Sequence, residues 1–250
     1  MDGELRRQTL GDLLHRSAKR FPNKTAIICG DTAWTYATFD AVCNRLATGL
    51  AARGIGKGTR VAILSRNSHA FAALRFALAR LGAVLVPINF MLKAEEAAFI
   101  LRHAGAEMLA TDSGLADVAR AASALDTKVR ELVWLPSEEK TTPAPGMIAF
   151  DELLSNSAEP PQVGFSDNDL AQIVYTSGTE SLPKGTMLTH NAVIWQYVSC
   201  VVHRSPHLML GYSMTTSGPR PRSRAAGFIL AISPPSMPTA TSSWSIARRT

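Results

Sequence analysis

YTSGTESLPKGTMLTHNAV, Tyr175 to Val193, follows directly on the apolar run LAQIVY, Leu170 to Tyr175. That run is short, β-branched and aromatic, and it is bounded by the polar cluster Ser166 to Asp169 and by Gly178, so it predicts a buried strand. A strand ending there delivers the next residues to a sheet edge as a turn. In that turn Gly178 and Gly185 let the backbone bend and expose N–H donors, while Thr176, Ser177 and Thr179 add hydroxyl donors and Lys184 supplies a point charge. Donors gathered in this way suit a polyphosphate.

A Walker A loop would need glycine, four residues, then Gly-Lys-Ser/Thr. Here Lys184 precedes Gly185, and Pro183 stands where a helix would have to begin. The stretch instead resembles the phosphate loop of the adenylate-forming (AMP-binding) superfamily, the acyl-CoA synthetases and their relatives, whose usual form is YTSGTTGxPKG followed by a short apolar strand and Ser/Thr-His. The likeness is carried by Tyr175, Thr176, Ser177, Gly178, Thr179, Leu182, Pro183, Lys184, Gly185, Thr189 and His190. One departure lies inside the loop, where Glu180 and Ser181 replace the usual Thr-Gly. A carboxylate beside a triphosphate repels it unless a cation stands between them. Glu180 therefore reads either as a variant facing solvent or magnesium, or as a weakening of the site.

Upstream the likeness continues in order. WTYATFDAVCNRLATGLAARGIGKGTRVAILSRNS (Trp34 to Ser68) and LGAVLVPINFMLKAEE (Leu81 to Glu96) resemble the family's opening segments, and Thr9 to Ile28 resembles its amino-terminal entry, a leucine-bearing helix before Ala26, Ile27 and Ile28. The resemblance implies ATP, magnesium and coenzyme A as family substrates and a small carboxylic acid, a fatty acid, as partner. It assigns Thr176, Ser177, Gly178, Thr179, Glu180, Ser181, Lys184 and Gly185 to the ATP phosphates. Tyr175, Pro183, Thr189 and His190 become structural support, a satisfied hydrogen bond being at least as good a reading of His190 as a functional role.

The residues themselves describe an α/β domain. Phe39, Val42, Leu46 and Leu50 recur at helical spacing, and Gly54 stops that helix before a strand at Arg60 to Leu64. Next come a helix near Ser68 to Leu81 capped by Asn67 or Ser68, a strand Ala83 to Val86 ended by Pro87, and a helix near Lys93 to His103. A strand Met108 to Thr111, a helix near Leu115 to Leu125 and a strand Val129 to Leu135 follow. Alternation of this kind predicts a doubly wound, mainly parallel sheet with ligands at the carboxyl ends of its strands. Pro136 to Gly146 and Ser155 to Ser166 read as surface loops.

From His203 the composition changes. His203 to Thr250 holds nine serines, six prolines and six arginines, and no Asp, Glu, Lys, Asn or Gln. The chain's formal charge of +6 comes from these six arginines, the first 202 residues being neutral with 20 basic and 20 acidic side chains. The reading is therefore a partial adenylation domain over residues 1–202 and an irregular tail over 203–250, of the kind that a shifted reading frame in a GC-rich gene produces. The tail lacks the acidic groups that the resemblance implies for ribose and metal, and no lysine follows Lys184. The resemblance thus predicts a chain that does not turn over by itself, and a sheet whose later cover is missing and whose apolar face is exposed.

The remaining features are bland. Arg220, Arg222 and Arg224 are sparse, with no interleaved aromatic, so nucleic-acid binding is not expected. Ala225 to Ile232 is too short to span a bilayer. The charged start MDGELRRQTLGDLLHR points to the cytoplasm, and Cys29, Cys43 and Cys200 fit no metal spacing and read as small buried hydrophobes. His15, His69 and His103 fall on expected helices as surface or helix-end residues, and no metal site is expected.

Overall fold

The computed structural model describes residues 8–139, 142–159, 161–176 and 183–201. The chain opens with α1 (Leu10–Arg20), begun by a capping box in which Thr9 Oγ1 accepts from the Asp12 N–H at 3.2 Å and the Asp12 carboxylate accepts from the Thr9 N–H at 3.0 Å. A two-stranded antiparallel hairpin of β1 (Thr25–Cys29) and β2 (Thr32–Thr35) leads into α2 (Tyr36–Ala52), whose inner face carries Phe39, Cys43, Leu46 and Leu50, all buried.

The main sheet is then built by β3 (Arg60–Leu64), α3 (His69–Leu81), β4 (Val84–Ile88), α4 (Ala94–Ala104), β5 (Met108–Thr111), α5 (Ala116–Ser123), β6 (Glu131–Trp134), β7 (Ile148–Ala149), β8 (Leu170–Thr176) and β9 (Lys184–Thr189). The last described element is α6 (His190–Val201). The seven strands lie in the order β7-β6-β5-β3-β4-β8-β9, all parallel except β9, which runs antiparallel to β8 at the edge. Successive side chains of a strand point to opposite faces, and here both faces are covered. Val61, Ile63, Leu85, Met108 and Ala110 pack with Leu14, Phe39, Leu46, Leu74 and Leu78 of α1 to α3. Ala62, Leu64, Val84, Val86 and Leu109 pack with Ala97, Ile100, Leu101 and Ala119 of α4 and α5. The α/β, doubly wound and mainly parallel sheet expected from the alternation is the observed one.

Two boundaries and two strands differ from the sequence expectation. Pro87 does not end its strand; it lies inside β4, opposite Ile63 of β3. The Val84 N–H donates to the Thr59 carbonyl on the β3 side, so by alternation the nitrogen of Pro87, two positions on from Leu85, faces β8. There the ladder consists of the single pair Leu85 and Gln172, and the missing N–H costs no bond. The helix expected over Leu115 to Leu125 is shorter, a 3₁₀ turn at Ser113–Leu115 followed by α5. The hairpin partner β2 and the two-residue β7 were not expected at all.

Buried polar links hold the α1 to α3 layer. Arg80 of α3 donates through Nη1 to the Asp40 carbonyl at 2.9 Å and to Asn44 Oδ1, and its Nη2 pairs with the Asp40 carboxylate of α2. The other Asp40 oxygen lies 3.1 Å from His15 Nδ1 of α1. Gly11 makes room for Arg80, since a Cβ there would stand 2.8 Å from Arg80 Cγ. Met187 of β9 is 67% and Trp195 of α6 62% exposed. No described helix is long and apolar enough to cross a membrane.

Candidate phosphate-binding site

β8 and β9 form an antiparallel pair at the edge of the sheet. β8 and β9 pair with Val174 opposite Thr186, Tyr175 opposite Gly185 and Thr176 opposite Lys184. Thr176 and Lys184, both exposed, are the last register pair of the two strands. Ser177, Gly178, Thr179, Glu180 and Ser181 lie outside the described residues. Because β8 runs parallel to β4, its carboxyl end faces the same edge as those of β3, β4 and β5. Pro183 precedes a strand and not a helix, as the rejection of a Walker A loop requires.

Thr176 and Lys184 are register partners that carry a hydroxyl and an ammonium group, both chemically suited to phosphate oxygens. Among the described residues no group of three or more His, Cys, Asp or Glu gathers as a metal site.

Gly185 has a different reason for being glycine from the bend expected of it. It lies inside β9, is absent from the glycines with positive φ, and is crowded by side chains from β8. A Cβ on Gly185 would stand 2.9 Å from Ile173 Cγ2 and 3.0 Å from Tyr175 Cζ. The Tyr175 ring thus lies across the backbone of the facing strand, where only a glycine leaves space for it.

Tyr175 is also held from the side. Its hydroxyl is 2.6 Å from Nδ1 of His103, near the end of α4. The two rings meet edge to face at 5.7 Å, and His103 stacks on Phe99 at 5.6 Å. Burial pushes the Tyr175 phenol up from its ordinary value, with Arg60 partly opposing, so at neutral pH it stays protonated. Sequence reading placed His103 only as a helix-end residue; nothing in the spacing of two positions so far apart signals the pair.

The supporting residues downstream are structural in their contacts. Thr189 Oγ1 accepts from the Ala192 N–H at 3.1 Å and so caps α6. His190 is fully buried; its Nδ1 accepts from the Leu10 N–H at 3.4 Å, and its ring faces Phe165 at 5.3 Å. It therefore ties α6 to α1 from within the core. Of the other histidines, His15 bonds Asp40, while His69, first residue of α3, is buried against Trp34.

The model of the AMP-binding enzyme family matches residues 14–219. The chain belongs to this family. Among similar proteins, the feruloyl-CoA synthase of Amycolatopsis sp is 35% identical over 198 residues, which are 79% of this chain and 37% of that protein. A long-chain-fatty-acid–CoA ligase of Mycobacterium tuberculosis is 35% identical over 191 residues, 74% of this chain and 36% of that one. Among solved structures, one described as a long-chain-fatty-acid CoA ligase from Rhodopseudomonas palustris superposes with a TM-score of 0.72 at 27% identity, covering 79% of this chain and 48% of that chain. A solved structure of the amino-terminal domain of FACL13 from Mycobacterium tuberculosis matches with a TM-score of 0.64 at 35% identity, covering 73% of this chain and 44% of that chain. The AMP-binding chain thus spans less than half the length of these relatives and has the fold of their amino-terminal part.

Proposed function

We propose that this chain carries the triphosphate grip of an ATP-dependent acid–CoA ligase. In that reaction a carboxylate attacks the α-phosphate of ATP, giving an acyl adenylate and pyrophosphate, and the thiol of coenzyme A then displaces AMP. The observation that carries the reading is the register pairing of Thr176 with Lys184, which flank in sequence a stretch that has the family's pattern. Thr176, Ser177, Thr179 and Lys184 orient the β- and γ-phosphates and balance charge on the departing pyrophosphate, with backbone donors at Gly178, Ser181 and Gly185. Magnesium arrives with the nucleotide, Glu180 facing either it or solvent. The acid is a fatty acid, supported by the fatty-acid ligases among the relatives. A cytoplasmic compartment fits the free thiols of Cys29 and Cys43.

Residues 1–202 constitute the adenylation part, and 203–250 a tail read from a shifted frame, as its lack of any acidic side chain suggests. By itself the chain binds ATP and does not turn it over. Equilibrium binding of magnesium–ATP to the full chain, with an assay for acyl-AMP from ATP and a fatty acid, tests the reading. Binding without acyl-AMP supports it; absence of binding removes the proposed grip, and formation of acyl-AMP refutes the claim of inactivity.

A further inference from the structure

Phe21, Ile28, Phe90 and Met91 are large hydrophobic side chains left exposed, and all four lie along one edge of the main sheet. Phe90 and Met91 follow β4 directly, so they stand at the carboxyl ends of the parallel strands. The β1–β2 hairpin reaches the same edge. Trp34 meets His69, the first residue of α3, edge to face at 5.0 Å, and a Cβ on Gly30 would stand 3.3 Å from Glu138 Cα in the loop after β6. Phe21 belongs to the turn between α1 and the hairpin. That turn is bonded to the amino end of α2, the Tyr36 N–H donating to the Lys24 carbonyl at 2.9 Å and the Ala37 N–H to the Pro22 carbonyl at 3.0 Å. The other end of α2 lies at the starts of the strands, where Arg53 pairs with Glu131 of β6 at 3.1 Å, so its amino end belongs to the carboxyl edge.

Charge is unevenly spread along this edge. From Arg16 to Thr25 the chain carries Arg16, Lys19, Arg20 and Lys24 and no carboxylate. Lys19, Arg20 and Lys24 are exposed and make no ion pair among the described residues. The helix dipole accounts for Lys19 and Arg20 in the last turn of α1; Lys24 lies beyond it, with its Nζ 6.0 Å from the centre of the Phe21 ring. The exposed acidic residues Asp31, Glu138 and Glu139 stand at the other end, around the tip of the hairpin. A cationic end with an exposed aromatic ring complements a partner that is both anionic and apolar, as the surface of a bilayer is. We propose that Phe21, with Lys19, Arg20 and Lys24, docks on an anionic lipid surface. Docked there, the carboxyl edge of the sheet, where α/β folds take their ligands, lies against the membrane. The choice of a lipid over a nucleic acid rests on the reading of the acid as a fatty acid.

The test sediments the full chain with vesicles of phosphatidylcholine, or of phosphatidylcholine and phosphatidylglycerol in equal parts, at low and at high salt and without nucleotide. Three variants are compared with it: Lys19→Gln with Arg20→Gln and Lys24→Gln; Phe21→Ser; and, as an equal change of charge at the opposite edge of the sheet, Arg102→Gln with Lys128→Gln and Arg130→Gln. Every substituted residue is exposed, the six arginines of residues 203–250 are common to all four chains, and each melting temperature is measured alongside. At low salt the parent is expected to bind the mixed vesicles and not phosphatidylcholine alone. The Lys19, Arg20 and Lys24 variant should bind about a hundredfold more weakly, Phe21→Ser about tenfold, and the opposite-edge variant within about threefold of the parent, with melting temperatures unchanged. Failure of the parent to bind, retained binding in the Lys19, Arg20 and Lys24 variant, or an equal loss in the opposite-edge variant overturns the docking surface. Capture of a transfer RNA with no vesicle binding does so too and favours a nucleic acid. The readout needs no ATP, so the docking surface and the ATP grip fail separately.

Discussion

Thr176 and Lys184 face each other as register partners at the open end of the β8–β9 hairpin. Cross-strand partners stand close enough to act on one ligand, and a hydroxyl opposite an ammonium group offers a phosphate a donor from each strand. Replacing Lys184 with Ala removes the charged member of the pair. A charge-assisted hydrogen bond is worth about 1.5 to 3 kcal/mol, so ATP affinity should fall roughly 10- to 150-fold, measured by titration calorimetry. Because Lys184 is exposed, the melting temperature should change little.

Gly185→Ala should act on the same hairpin by crowding. The added methyl meets Ile173 and the Tyr175 ring at under-contact distances, and overpacking of this kind costs about 1 to 3 kcal/mol. Urea unfolding should show a lower midpoint, and tyrosine fluorescence or an NMR probe on Tyr175 should report displacement of its ring. A Gly185→Ala chain with unaltered midpoint and an unmoved Tyr175 would contradict the packing reason for this glycine.

These two residues also show where sequence reading stops. Gly185 was legible as a constrained position but for the wrong cause, because a bend and a cross-strand ring both demand glycine and only coordinates distinguish them. The alternating pattern from Arg60 to Thr111 gave the sheet, since buried parallel strands must be apolar on both faces. Pro87 misled, because a missing N–H ends a strand only where a neighbour needs it. The β7 strand is two residues long and has no period to detect. The His103–Tyr175 bond joins elements far apart in sequence, and no local signal encodes such a meeting.

Arg80 and Asp40 supply a stability test. Both side chains are largely buried, at 7% and 12% exposure, and Arg80 joins α3 to α2 through Asp40 and Asn44. Removing one partner strands a charge, at a cost of about 3 to 5 kcal/mol. Asp40→Ala should therefore lower the urea midpoint severely, whereas a loss below about 1 kcal/mol would show that Arg80 finds another acceptor.

The buried His69 predicts a pH dependence. Burial pushes its imidazole below the ordinary value of 6.5, with Asp151 partly offsetting the shift. The unfolded chain therefore binds a proton more readily than the folded one. This contribution to stability is whole above the ordinary imidazole value, declines as pH falls below it, and levels off below the folded-state value. His69→Gln should flatten the decline of the unfolding midpoint between about pH 7.5 and pH 5.5. An equally steep decline in the variant would assign the effect to other groups.

Cys43 should be chemically silent. It is fully buried, and burial pushes its thiol up to about 12, Arg80 partly opposing. Native-state alkylation at neutral pH should leave Cys43 unmodified while the denatured chain reacts; modification under native conditions would reveal opening of the α2–α3 layer.

The proposed grip on the phosphate end of ATP is flanked by Thr176 and Lys184. Competition against bound magnesium–ATP on the full chain tests it most directly, with inorganic tripolyphosphate and adenosine as rivals. Displacement by tripolyphosphate, lost in Lys184→Ala, with adenosine ineffective, is the predicted result; displacement by adenosine and not by tripolyphosphate would contradict it.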